Sequence, residues 1–271
     1  MAEPGEGAAA APPRVDAHAH IFTRDMPYAP DAHSVPDYAY PVEAWLAEMG
    51  RFGISHGVIA AASMWGDYND YTLAALRAHP NLRGTIILSP ETPAATLRDM
   101  ADQGVAGVRL PWRRLKTLPD LSADPWRGFL RRLADAGLHA ELLPNGEDLP
   151  ALLPGFLASG VSLVIDHFGV PPQDAARRAA MHDAIAAAVA SGRVWVKVSA
   201  GFRIPEDIAA ECAVRLLADA GPERLIWGSD APFVNHERSM TYAGALALYG
   251  RLIPDAATRV AIDQTALDFY F

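Results

Sequence analysis

The sequence predicts one α/β domain, eight parallel strands closed into a (β/α)8 barrel with helices outside, and three observations carry that reading. Short β-rich apolar runs alternate with longer segments of helical period, the pattern of parallel βα units. The length, 271 residues, matches the roughly 250 residues that a TIM barrel takes as a single domain. The first apolar run ends in histidines, where an open doubly wound sheet would carry its Gly-rich phosphate loop.

Eight runs qualify as strands: residues 15–20, 57–62, 84–88, 107–110, 138–143, 162–167, 194–199 and 225–229. Helical segments fall between them at 41–52, 69–79, 93–103, 125–136, 173–190 and 205–220. Pro41, Pro93, Pro125 and Pro205 open helices where the first turn needs no amide hydrogen, and Gly104, Gly137, Gly160, Gly192 and Gly221 stand where segments close. After the eighth strand, 237–250 supplies a closing helix and 255–270 a terminal one. Residues 1–13 lack both a basic start and a bulky apolar stretch, so they read as a disordered leader rather than a secretory signal, leaving 14–271 as the barrel.

Composition narrows the function. A formal charge of −9 argues against a nucleic-acid partner, because phosphate neutralisation needs a basic surface. The basic stretch Trp112-Arg113-Arg114-Leu115-Lys116 is too short to reverse this, although an acidic protein can still focus a few arginines into one pocket. No apolar run approaches the roughly 18 residues of a membrane span. Cys212 is the single cysteine, which excludes an internal disulfide and a cysteine zinc cluster and fits a cytoplasmic setting. The expected assembly is a monomer or small homo-oligomer.

Catalytic groups in such a barrel sit at the C-terminal ends of the strands. Asp16-Ala17-His18-Ala19-His20 ends the first strand, and strand alternation places Asp16, His18 and His20 on one face. The sixth strand runs into Asp166-His167-Phe168-Gly169 and the eighth into Trp227-Gly228-Ser229-Asp230-Ala231-Pro232. Imidazoles and a carboxylate ending apolar strands would be costly to bury without a task. Their shared position at three strand ends points to one reaction centre.

This set resembles the amidohydrolase-related superfamily, and within it the branch of 2-pyrone-4,6-dicarboxylate lactonase and the sugar lactonases. The similarity spans about residues 15–271 and includes Trp195-Val196-Lys197-Val198-Ser199. The resemblance implies that His18, His20, His167 and Asp230 form the reaction centre, with Asp230 as the base that activates water. Members with two metals carry a carboxylated lysine after the fourth strand, where this chain has Arg109. Single-metal members place a histidine near the end of the fifth strand, where it has Leu143, and His139 stands at the start of that strand as a structural residue. The branch is described as working without a required cofactor; a bound Zn2+ or similar ion would use His18, His20 and Asp230.

The resemblance further implies that Arg109 binds a substrate carboxylate, a role suited to the bidentate guanidinium fork, and that Arg203 is a second such residue. Ser63 after the second strand, Tyr40 after the first and Asn235 after the eighth complete the expected substrate contacts. Val170 replaces an arginine of the dicarboxylate lactonase and Leu143 an aromatic, so a smaller or monoanionic lactone is the expected substrate. The reaction implied is hydrolytic opening of a small carboxylated lactone or related ester. The alternatives are a metal-dependent decarboxylase or lactone isomerase on the same barrel, and a non-catalytic binder of a small organic acid.

Overall fold

The structure, a computed structural model, describes residues 12–271, so residues 1–11 of the expected leader lie outside the described residues. Eight parallel strands run in chain order: β1 (Val15–Ala19), β2 (His56–Ile59), β3 (Leu82–Ile86), β4 (Val105–Leu110), β5 (His139–Leu142), β6 (Leu163–Ile165), β7 (Val194–Ser199) and β8 (Leu225–Gly228). Beyond β8 the chain continues along β1: the Asp230 amide donates to the His18 carbonyl at 2.7 Å, the His20 amide donates to the Ala231 carbonyl at 2.8 Å, and Ala19 bridges Ala231. These bonds close the sheet into the expected (β/α)8 barrel. Closure needs a near approach of backbones, since a Cβ on Gly228 would stand 2.5 Å from the His18 Cβ.

Nine helices follow among the described residues: α1 (Val42–Arg51), α2 (Asp70–Ala78), α3 (Ala94–Asp102), α4 (Trp126–Asp135), α5 (Leu149–Ser159), α6 (Ala175–Val189), α7 (Glu206–Ala220), α8 (Tyr242–Leu252) and α9 (Ala256–Tyr270). The side chains of Asp174, Thr241 and Asp255 cap α6, α8 and α9 through the amides of Arg177, Gly244 and Thr258. The Thr241 cap explains why α8 starts at Tyr242 rather than near 237. α5 is not among the expected helices: Leu149, Leu152, Leu153 and Phe156 are buried at helical spacing, but Pro150, Pro154 and Gly155 punctuate the stretch like a loop. Where its backbone crosses Leu121, a Cβ on Gly155 would come within 2.6 Å of the Leu121 Cβ.

The main core fills the space between strands and helices, with Ile59, Ile86, Val108, Leu142, Ile165 and Val196 against residues such as Trp45, Leu97, Phe129 and Phe156. Each such side chain contributes roughly 1.5–3 kcal/mol by leaving water. A second cluster, Val15, Ala17, Val58 and Ile226 with Ala266 and Tyr270 of α9, seals the N-terminal end of the barrel. Asp263 of α9 anchors that seal by accepting from the Arg14 and Val15 amides at 2.7 and 3.0 Å. The opposite end is left open for chemistry. No described helix is long and apolar enough to cross a membrane.

Candidate active site

The barrel interior is polar. Asp16, His18, Thr85, Arg109, Glu141 and Lys197 lie on β1, β3, β4, β5 and β7, and each is at least 97 % buried, so each charge needs a partner. Asp16 stitches β1 to β8 and to the outer helices. It accepts from the Ser229 amide at 2.8 Å, the Ser229 hydroxyl at 2.6 Å, the Trp45 indole at 3.1 Å and the Tyr242 hydroxyl at 2.8 Å. Burial pushes its carboxyl above the ordinary range, and these donors oppose the shift. The clamp holds His18 and Asp230, which follow Asp16 and Ser229 closely in sequence, at a fixed separation.

Above the clamp, three imidazoles gather round Asp230. His18 and His20 meet edge to face with ring centroids 5.1 Å apart, and His167 lies 4.7 Å from His18. Asp230 Oδ1 is 3.4 Å from His20 Nε2 and 3.7 Å from His18 Nε2, while Arg203 donates from Nε to Oδ2 at 2.6 Å. The His20 Nδ1 pairs with the Ala60 carbonyl at 2.7 Å, and the His167 Nδ1 with the Ser199 hydroxyl at 2.8 Å. His167 lies past the end of β6, in a 3-10 turn at φ 54°, not in the strand itself. Asp230 likewise takes a left-handed backbone at φ 63°, a conformation uncommon outside glycine that turns the carboxylate over the barrel mouth.

Electrostatics separate the roles. Burial alone would raise Asp230, but Arg203, the His20 bond and the neighbouring imidazoles hold its carboxyl well below the usual range. Burial, reinforced by Lys197, lowers His18 to about 4, and burial lowers His167 to about 3. At neutral pH the site therefore presents one carboxylate beside two neutral imidazoles.

A layer of full charges lies beneath. The Lys197 ammonium donates to Glu141 Oε2 at 2.6 Å and stands 3.4 Å from Asp166 Oδ1. Arg109 donates from Nε and Nη2 to Asp166 Oδ2 at 3.0 and 2.9 Å and from Nη1 to the Ala61 carbonyl at 2.7 Å. Burial pushes Asp166 and Glu141 up, yet Arg109 and Lys197 hold Asp166 well below its ordinary value and Lys197 brings Glu141 to about 2. Arg109, Lys197 and Arg203 thus balance Glu141, Asp166 and Asp230.

The cavity over this centre measures about 170 Å³. His20, His167, Asp230, Arg109, Arg203, Ser63 and Asn235 line it, so these expected residues are brought together. His18 lies just beneath, wholly buried. Tyr40 does not join them: its hydroxyl donates to Glu48 and it packs against the Phe22 cluster, next to the start of α1 rather than over the cavity. Arg109 keeps one edge at the cavity while its Nε, Nη1 and Nη2 each serve a protein acceptor. His33, Arg113 and Arg114 also line the wall and were not anticipated there. Arg113 is lowered by burial and by the nearby cations Arg114 and Arg203. Larger hollows elsewhere, one of about 770 Å³ around Arg83, Trp195, Arg224 and Tyr270 at the strand starts, hold none of this machinery.

Two donor sets could be considered for a metal. His18, His167 and Asp230 offer ligand atoms within 4.8 Å of one another, a combination suited to one Zn2+. His18 Nε2 is buried without a hydrogen-bond partner, so it can serve as a ligand atom only in the tautomer that leaves it unprotonated. His20, expected among the ligands, is not in that set. His18, Glu141 and Asp166 form the second set, and the Lys197 ammonium already stands among them. That set does not fit an ion.

Fold and site together define a barrel hydrolase. The chain belongs to the amidohydrolase family, whose model matches residues 15–270. It is 30 % identical over 268 residues to the 4-sulfomuconolactone hydrolase of Rhizobium radiobacter, covering 93 % of this chain and 88 % of that protein. It is 27 % identical to the 2-pyrone-4,6-dicarboxylate hydrolase of Comamonas testosteroni, covering 93 % and 87 %. The crystal structure of a probable 2-pyrone-4,6-dicarboxylic acid hydrolase from Acinetobacter baumannii with citric acid bound superposes at a TM-score of 0.89 and 28 % identity, covering 94 % of this chain and 98 % of that one.

Proposed function

We propose that this protein opens a small lactone bearing more than one acidic group, by attack of water activated at Asp230. One observation carries the reading: a buried carboxylate ringed by His18, His20 and His167 at the floor of a cavity whose wall holds Arg109, Arg113, Arg114 and Arg203. Relatives that act on an acidic lactone support it. The loss of a carboxylate clamp at Val170 favours a monoanion on sequence grounds, but Arg113 and Arg114 on the wall, whose charges are not spent on Glu141, Asp166 or Asp230, favour a di-acid. A volume near 170 Å³ lies below the roughly 300–1,000 Å³ of drug-sized pockets and restricts the substrate to a small molecule.

The mechanism follows from the placement of these groups. Asp230 Oδ1 takes a proton as water oxygen adds to the lactone carbonyl carbon. The carbonyl oxygen becomes an oxyanion beside the imidazole N–H groups, which stabilise it without carrying charge themselves. Collapse breaks the bond to the ring oxygen, which takes back the proton held by Asp230 and leaves as a free hydroxyl or enol, while the new carboxyl group ionises and releases one proton to solvent. Arg113 and Arg114 hold the substrate's acidic groups, and Arg109 supports Asp166 while offering its free edge. No metal is required in this reading, since none of its steps is routed through one. An ion held by His18, His167 and Asp230 would supply Lewis acidity at the same carbonyl.

A pH-stat assay of purified protein against mono- and di-acidic lactones tests the proposal. Saturable proton release with preference for a di-acid is expected. Turnover of neutral lactones alone, or of none, would defeat it.

A further inference from the structure

Lys197 is a wholly buried cation that the hydrolytic steps above do not use. Its Nζ lies 2.6 Å from Glu141 Oε2, 3.0 Å from His18 Nδ1 and 3.4 Å from Asp166 Oδ1, three neighbours for three N–H bonds. An ammonium has no acceptor capacity, so at 3.0 Å the His18 Nδ1 must be the acceptor. Asp166 Oδ1 lies 3.3 Å from the same nitrogen and competes as an acceptor for an Nδ1 proton, but the ammonium is closer and can only donate. On the other side of the ring, Nε2 has no hydrogen-bond partner and faces Asp230 Oδ1 at 3.7 Å.

We infer that Lys197 is a positioning residue that fixes His18 in the tautomer carrying its proton on Nε2, so that a free N–H is aimed at the reacting oxygen beside Asp230. The ammonium stands where a metal would otherwise sit among His18, Glu141 and Asp166. It acts through His18 and touches no substrate. A donor held in place before the reaction stabilises a developing oxyanion without reorganisation, and removing one such donor typically costs about 10²–10³ in rate. The rate consequence rests on the hydrolytic reading, whereas the tautomer does not.

The experiment is long-range 1H–15N correlation of 15N-histidine-labelled protein at neutral pH, with the His18 signals assigned as those missing from His18→Gln. A neutral His18 protonated on Nε2 is expected; protonation on Nδ1 overturns the inference, whether or not any lactone is turned over. Because Lys197→Met alone would leave two buried carboxylates short of a cation, the companion variant is Lys197→Met with Glu141→Gln, which keeps the charge balanced. With cooperative melting retained, that double variant should shift His18 toward the Nδ1 proton and lose about 10²–10³ in kcat at little change in KM. An unchanged tautomer with kcat near wild type overturns the positioning role. Should the double variant fail to fold, the wild-type spectrum still decides the tautomer. Absence of any lactone turnover by wild type would defeat the proposed function and leave the tautomer standing.

Discussion

Replacing Asp230 by asparagine removes a proton acceptor while preserving shape. In the native site Oδ2 accepts from Arg203 at 2.6 Å and Oδ1 faces the His18 and His20 Nε2 atoms at 3.7 and 3.4 Å. An asparagine can keep the Arg203 bond through its carbonyl, but its amide would then point two hydrogens toward the imidazoles. General-base catalysis contributes typically 10²–10⁴, so kcat should fall about 10³-fold, equivalent to about 4 kcal/mol of barrier. Binding of a di-acid should survive, because Arg109, Arg113 and Arg114 are untouched. Stability carries a second signature. Asp230 is depressed in the folded state, so its ion pairing stabilises the fold above the ordinary carboxylate range near pH 4 and is lost as pH falls through the depressed value. The Tm gap between wild type and Asp230→Asn should therefore be largest at neutral pH and close in acid. Initial rates by pH-stat and calorimetric melts read both effects. A variant within tenfold of wild-type kcat would refute the general-base role.

Other perturbations test separate parts of the site. Arg203→Gln removes the main cation beside Asp230, so the acid limb of the kcat profile should move to higher pH, and a profile that stays put would detach Arg203 from the base. Arg113→Ala with Arg114→Ala should raise KM for a di-acidic lactone at least tenfold while sparing a mono-acid; equal effects on both substrates would place these residues outside recognition. Asp16→Asn presents an amide to four donors, at a cost of about 2–3 kcal/mol, and should lower Tm by roughly 4–5 °C in thermal melts. Exhaustive chelation should leave turnover intact, and recovery only on adding Zn2+ would assign the His18, His167 and Asp230 set to a metal.

Much of the architecture was legible because strand periodicity and proline or glycine punctuation are local signals. His18 and His20 stood out for the same reason, two imidazoles at alternate positions of one strand. α5 was hidden because its exposed face carries Pro150, Ala151, Pro154 and Ala158 rather than charged residues, and two prolines and Gly155 read as a loop although Leu149, Leu152, Leu153 and Phe156 keep helical spacing. Lys197 was read as part of a strand motif, since its partners Glu141 and His18 lie 56 and 179 residues away. A charged residue inside Val194-Trp195-Val196-Lys197-Val198-Ser199 was nevertheless a signal, given what it costs to bury one. Arg113 and Arg114 stand in the sequence only as part of a short basic stretch, because it takes the turn after β4 to bring them over the cavity. Tyr40 shows the converse: closeness to His20 in sequence did not make it a wall residue.

The central claim, that water activated at Asp230 attacks the lactone carbonyl, is tested most directly by a single turnover with enzyme in excess in H2(18)O. Mass spectrometry of the opened di-acidic lactone should find one 18O in the new carboxylate and none in the released hydroxyl. Product free of label in that first turnover would mean that the Asp230 carboxylate itself attacks and transfers its own oxygen, and label in the hydroxyl would mean cleavage at the other carbon; either result contradicts the account.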